Sequence, residues 1–311
     1  MCVNLILDIA SKKAFDLRCD GSPFCPYPSP TVFGINKERF AFKSKNNTLV
    51  GYRYFLNKDE YKAKVIFFHG FGAGHTAYSK EISEIAKQGY LVYSFDYTGC
   101  MESEGENIIS LAQAVLDMDA FFDYLAKNDD HPELETHSIG HSWGGFISLL
   151  TLDKKYNVSK AISLAGMPSV SYAFIQKAPF LAKKKKQINK YIAKRFSPLA
   201  SKDSFEVALD SNKPFLYIQG DLDEILPYKD CLVTFEKMAR GNKKAHFLTV
   251  SNRHHQPYYD MDACNYFNEL FFKKHIGDPN HPSDVVIDES RLFKDDKQVM
   301  KSIFDFFSNK D

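Results

Sequence analysis

Residues 138–145 read Ser138-Ile139-Gly140-His141-Ser142-Trp143-Gly144-Gly145. They contain G-x-S-x-G, with Ser142 between Gly140 and Gly144. Such a pattern recurs by chance in about one chain in ten of this length, so it settles little alone. Its surroundings settle more. The preceding ETHSIG (Glu135–Gly140) reads as a strand and the following Trp143–Leu152 as a helix. A serine at a sharp strand-to-helix turn is held in a strained backbone with its Oγ exposed. Glycines two positions to either side remove the side chains that would clash where strand and helix pass. The competing reading is a helix N-cap serine in a glycine-rich turn. A serine hydroxyl is a weak nucleophile at neutral pH. It needs a base, an acid that orients the base, and donors for the oxyanion formed on attack.

Working outward, short apolar segments alternate with amphipathic ones. Phe40–Ser44 and Leu49–Phe55 read as a hairpin, and Ala63–Phe68, Tyr90–Phe95, Lys160–Ala165, Phe215–Gln219 and Ala245–Val250 as further strands. Tyr78–Gln88, Ile108–Ala126 and Lys297–Phe307 have helical spacing. Strands separated by helices predict an α/β fold, with a mostly parallel sheet covered by helices on both faces. Three regions are expected. The first is an irregular N-terminal arm (1–36) with prolines between Pro23 and Pro30. The second is a core (37–166 and 214–311), and the third a small helical cap inserted at 167–213.

The chain carries 40 basic and 39 acidic residues among 311, a net charge of +1 that gives no reason to expect nucleic acid as a partner. No run of about 18 apolar residues predicts a membrane span. The first residues lack the basic-then-apolar order of a secretory signal, so a cytoplasmic protein is expected. Six scattered cysteines form no C-x-x-C pair. They are expected as free thiols, although Cys19 and Cys25 are close enough in sequence to bridge a short loop. Neither metal nor other cofactor is expected, and no H-E-x-x-H occurs. The oligomeric state is not predicted.

The strand Val65-Ile66-Phe67-Phe68 runs into His69-Gly70-Phe71-Gly72-Ala73-Gly74. A glycine-rich loop there can aim a backbone N–H at a reacting oxygen. The expected oxyanion donors are the N–H groups of Phe71 and Trp143, with His69 bracing the loop. A phosphate loop fits poorly, because the Lys-Ser/Thr of the Walker pattern is missing.

The HGFGAG loop, the GHSWGG turn and FDYTGCMESEG (Phe95–Gly105) together resemble the α/β-hydrolase fold superfamily, particularly its esterase, lipase and serine-aminopeptidase-like members. The resemblance covers roughly residues 40–275. The family's D-x-x-G-x-G-x-S pattern is broken at Met101, which stands where a glycine would be. The resemblance implies a triad in the chain order Ser, Asp or Glu, His. In Gly220-Asp221-Leu222-Asp223-Glu224-Ile225-Leu226-Pro227 the similarity to a G-x-x-D-x-x-V-P turn implies Asp223 as the acid, with Asp221 and Glu224 as local competitors. After the last strand comes Arg253-His254-His255-Gln256-Pro257. Its similarity to G-H-x-P implies His255 as the base, with His254 in the glycine position.

Serine at 142 favours acyl transfer over the reactions for which this superfamily uses Asp or Cys. The expected activity is hydrolysis of a small-molecule carboxylic ester through an acyl-enzyme. The alternatives are an amidase or aminopeptidase, an acyltransferase, or a non-catalytic binding protein of the same fold. Met167, Tyr172 and Phe174 are the expected pocket residues, unless they only pack the cap on the core. Cap acids that could hold a substrate ammonium group are few: Asp203, Glu206 and Asp210. The run Lys183–Lys186, with Lys190, Lys194 and Arg195, is expected to be a solvated helix face.

Overall fold

Val65 and Phe67 on one side of a strand, and Ile66 and Phe68 on the other, show why this sheet is covered twice. In the computed structural model β3 (Lys64–Phe68) is buried along its whole length. Its odd-numbered apolar residues enter one core and its even-numbered ones a second core, as the period of two in a strand requires. β4 (Leu91–Phe95), β6 (Lys160–Leu164) and β7 (Phe215–Gly220) likewise alternate between the two cores, and these strands and β5 (Thr136–His141) are all buried throughout. The hairpin β1 (Asn36–Ser44) and β2 (Asn47–Phe55) lies at one edge and β8 (Ala245–Val250) at the other. Both outermost strands are partly exposed. The structure describes residues 3–21, 25, 27–72, 74–274 and 286–309; Cys2, Pro23 and Ala73 fall outside them.

The eight strands run in the order β1-β2-β4-β3-β5-β6-β7-β8. β1, β2 and β4 pair antiparallel, and every pairing from β4 through β8 is parallel. One face is covered by α3 (Gln113–Asn128) and α4 (Trp143–Leu150), through residues such as Met118, Phe121, Phe146 and Leu150. The other carries α2 (Ser79–Lys87), α9 (Met261–Phe267) and α10 (Lys297–Ser308), through Ile82, Ile85, Ile303 and Phe307. Between β6 and β7 stand α5 (Val170–Lys177), α6 (Lys185–Arg195) and α7 (Ser204–Asp210). Ile188 and Ile192 of α6 are buried, while Lys183–Lys186 are exposed. A further helix, α8 (Leu232–Met238), connects β7 to β8.

The arm expected to be irregular begins instead with a helix, α1 (Val3–Phe15). Asp8 accepts hydrogen bonds from Tyr191 and Arg195 of α6, and Leu7 is fully buried. Helix α3 begins later than expected because Ile109 has a φ of 60°, which a helical path cannot include. The five described cysteines are free thiols, and Cys19 forms its backbone bridge with Cys100, not Cys25. Among the described residues no helix is long and apolar enough to cross a membrane.

Candidate active site

Ser142 sits between β5 and α4 with φ 55° and ψ −112°, a combination that costs energy for a residue with a side chain. Its backbone is held from both sides. Its N–H donates to the Leu164 carbonyl at 2.8 Å, and its carbonyl accepts from Phe146 N–H at 3.1 Å. The flanking glycines are required by contact. A Cβ on Gly140 would lie 2.2 Å from the Gly144 carbonyl oxygen, and one on Gly144 would lie 1.9 Å from that of Phe68. The tight turn leaves Ser142 half-buried at the wall of a cavity of about 890 Å³.

His255 lines the same cavity. Its Nδ1 donates to Oδ2 of Asp223 at 2.9 Å. That bond leaves Nε2 as the basic nitrogen. Asp223 is buried at the end of β7. Its Oδ1 accepts from the N–H groups of Ile225 and Leu226, both at 3.0 Å, and its Oδ2 also accepts from Gln219 Nε2 at 3.0 Å. Burial pushes the carboxyl pKa up, but His255 and these donors outweigh it and hold the group below the ordinary aspartate range. The competitors lie elsewhere. Asp221 accepts from the Asn252 N–H at 2.7 Å and so braces the turn, and Glu224 is exposed. His254 meets the Leu222 carbonyl through Nδ1 at 3.1 Å and does not contact Asp223.

The loop after β3 is braced from beneath. Tyr97 N–H donates to Nε2 of His69 at 3.1 Å, so the opposite nitrogen, Nδ1–H, donates to the Gly70 carbonyl at 2.7 Å. Burial lowers the His69 pKa to about 4, which keeps this ring neutral. His75 contacts one oxygen of Asp96 twice, through its N–H at 2.9 Å and its Nδ1 at 2.7 Å. Phe71 is half exposed and lines the cavity beside Trp143, their ring centroids 6.3 Å apart. Trp143 opens α4, so its backbone N–H is one of those with no partner inside the helix.

One network escaped the sequence reading. Gly70 N–H donates to the Tyr78 hydroxyl oxygen at 3.1 Å, and Tyr78 O–H meets Nδ1 of His141 at 2.8 Å. His141 Nε2 meets the His255 carbonyl at 2.7 Å. A carbonyl only accepts, so Nε2 carries the hydrogen, and Tyr78 donates to Nδ1. Burial first, then the nearby His255, lowers the His141 pKa to about 3 and keeps the ring neutral. The chain of bonds links the loop of Phe71, the turn of Ser142 and the backbone of His255. The histidine in G-H-S was the only signal for it.

Among the expected pocket residues, Met167 and Phe174 line the cavity. Tyr172 does not: its hydroxyl faces Cys231, behind the loop of Asp223. No described group of three or more His, Cys, Asp or Glu is arranged to hold a metal ion.

The family model described as serine aminopeptidase, S33, matches residues 59–212. This stretch includes the loop after β3, the turn at Ser142 and most of the segment between β6 and β7. The chain has the α/β-hydrolase fold. Among solved structures of this fold, an esterase of Pyrococcus furiosus superposes with a TM-score of 0.59 at 17% identity, covering 83% of this chain and 94% of that one. An acylaminoacyl peptidase of Pyrococcus horikoshii superposes with a TM-score of 0.54 at 17% identity, over 84% of this chain and 44% of the other. A stretch of 98 residues is 30% identical to monoglyceride lipase of Rattus norvegicus, and the match spans 32% of this chain and 32% of that protein.

Within the α/β-hydrolase frame the departure at Met101 has a local account. Met101 takes a φ of 45°, which glycine adopts without strain. Arg18, from the arm that follows α1, donates to the Met101 carbonyl at 2.7 Å and reaches those of Ser103 and Gly105. The N-terminal arm therefore clamps the loop that lacks its glycine.

Proposed function

We propose that this protein is a serine hydrolase that cleaves a small-molecule carboxylic ester. The observation that carries the reading is the 2.9 Å bond to a buried, ionised Asp223 from His255, which lines the cavity that also holds Ser142. In this reading Ser142 Oγ attacks the ester carbonyl while His255 Nε2 takes its proton. The Phe71 and Trp143 N–H groups receive the oxyanion. Collapse of the tetrahedral intermediate expels the alcohol, which takes the proton from His255. Water, activated by His255, then releases the acid from Ser142. Residues 167–213 act as a cap over the site, with Met167 and Phe174 as pocket walls.

The charges favour an ester over a peptide amine. None of Asp203, Glu206 and Asp210 lines the cavity. Asp203 instead caps α7, accepting from Phe205 N–H at 3.1 Å. The test is hydrolysis of short p-nitrophenyl esters beside aminoacyl amides. The esters are turned over in preference, and Ser142→Ala abolishes the turnover. Full activity in that variant contradicts the reading.

A further inference from the structure

The cavity at Ser142 is large for a short ester. Its volume, about 890 Å³, lies near the top of the range of about 300–1,000 Å³ for small-molecule sites. Two groups of side chains line it beyond Ser142. One belongs to the cap and α1, where Phe15 stands edge-on to Phe174 at 6.4 Å. The other follows His255 in the chain and is a continuous set of rings. His141 meets Tyr258 at 5.2 Å, and Tyr258 meets Tyr259 at 4.6 Å. Tyr259 meets Phe267 at 5.9 Å and Phe293 at 6.2 Å, and Phe267 meets Phe271 at 4.6 Å. All of these rings line the cavity.

This wall is pinned in place. Asp260 N–H donates to the Lys294 carbonyl at 2.7 Å, and Asp296 N–H donates to the Tyr258 carbonyl at 2.8 Å. Arg253, two residues before His255, pairs with Asp296 at 2.8 Å and is almost fully buried. The rings therefore stand at a fixed place relative to the His255 loop. The Asp, Glu, Lys and Arg side chains lining the cavity among the described residues are Arg18, Asp20 and Lys177. Arg18 and Asp20 bond each other at 2.9 Å, and Lys177 is exposed at the end of α5. The aromatic wall thus offers apolar surface without a charge to match.

We infer that Tyr259, Phe267, Phe271 and Phe293 form a binding subsite for a long, uncharged alkyl chain of the substrate. The inference rests on the reading of Ser142 as an ester-cleaving nucleophile. An alkyl chain could reach the wall as the acyl part of the ester or as its alcohol part. Each methylene moved from water to this wall favours binding about fourfold.

Two ester series, assayed on the full chain, separate the sources. One is p-nitrophenyl esters from acetate to palmitate; the other is acetate esters of alcohols from methanol to hexadecanol. In one series kcat/KM rises about fourfold per methylene before levelling off, and the rising series identifies which part of the ester occupies the wall. In Phe271→Trp the rise stops at a shorter chain. Hydrolysis with a flat chain-length profile in both series overturns the subsite, and so does a Phe271→Trp profile that superimposes on the wild type. Calorimetric titration of Ser142→Ala with dodecanol and butanol reads the subsite without catalysis and does not depend on the Trp variant folding. Tighter binding of dodecanol supports the subsite even if no ester is cleaved, in which case only the catalytic reading fails. Equal binding of the two alcohols overturns the subsite.

Discussion

His255 and Asp223 meet at 2.9 Å although 32 residues separate them in the chain. The contact exists because β7 and β8 are parallel neighbours whose C-terminal ends lie together. Gly220 makes the approach possible, since a Cβ there would sit 2.1 Å from the Arg253 carbonyl oxygen. Asp223 receives hydrogen bonds at both oxygens and stays ionised, so it can hold His255 in one tautomer and stabilise the ring once charged.

Asp223→Asn disturbs that tautomer while keeping the size of the side chain. Its kcat falls roughly 10⁴-fold, with KM little changed. Asp221→Asn and Glu224→Gln, at the two competing positions, change kcat by less than about tenfold, as expected for surface changes. Steady-state kinetics on the three variants checks the assignment. A larger loss in either control than in Asp223→Asn reverses it.

Tyr78→Phe removes one hydroxyl from the middle of the bonded chain. It leaves both the Gly70 N–H and Nδ1 of His141 without their buried partner, at a cost of about 1–3 kcal/mol each. Denaturant unfolding reads that cost. The loop of Phe71 also loses its tie to His141, so kcat falls more than KM rises. A variant with wild-type stability and kcat shows that the network is idle.

Gly144→Ala tests the close passage of strand and helix. The new methyl group would meet the backbone of Phe68 and His69, which has no flexible end to move aside. We expect little or no folded protein, judged by circular dichroism and solubility. A well-folded variant shows that the strand and helix are not so tightly apposed.

Glu81 of α2 and Asp295, beside Tyr259, form a buried carboxyl pair whose four oxygens accept no hydrogen bond from any other side chain among the described residues. Burial, then mutual repulsion, raises Glu81 well above its ordinary pKa; burial chiefly raises Asp295, to about 7. Lys80 opposes the rise at both groups, while Glu84 and Asp260 add to it at Asp295. The tyrosines facing the pair, Tyr78, Tyr258 and Tyr259, all have raised pKa values, so they stay neutral and add no negative charge to it. The folded chain therefore keeps protons that the unfolded chain releases above about pH 4. The pair's contribution to stability is fully present below that pH and is lost as pH rises through about 7. Urea unfolding at pH 5 and pH 8 should show this loss in the wild type and a smaller one in Glu81→Gln. Equal losses in both proteins contradict the account.

Much of the fold was legible because its strands are short and apolar, and because the order of glycine loop, serine turn, acid and histidine follows from one topology. The resemblance pointed to Asp223 and His255, and the two side chains meet because each follows one of two neighbouring parallel strands. What was missed depends on distant partners. Helix α1 is held by Asp8 against Tyr191 and Arg195, some 185 residues away. Tyr172 shares its helix with Phe174 yet turns toward Cys231, and spacing alone does not say which side of a short helix meets a cavity. The aromatic wall after His255 carries no motif. Phe293 is carried to the cavity by the tail, which folds back along Tyr258 and Tyr259.

The central claim is that Ser142 is an activated nucleophile. Fluorophosphonate labelling followed by peptide mapping tests it most directly. We predict one covalent adduct, on Ser142, formed rapidly by the wild type and abolished in His255→Ala. Labelling at another residue, or equal labelling of Ser142 in the wild type and His255→Ala, contradicts the account.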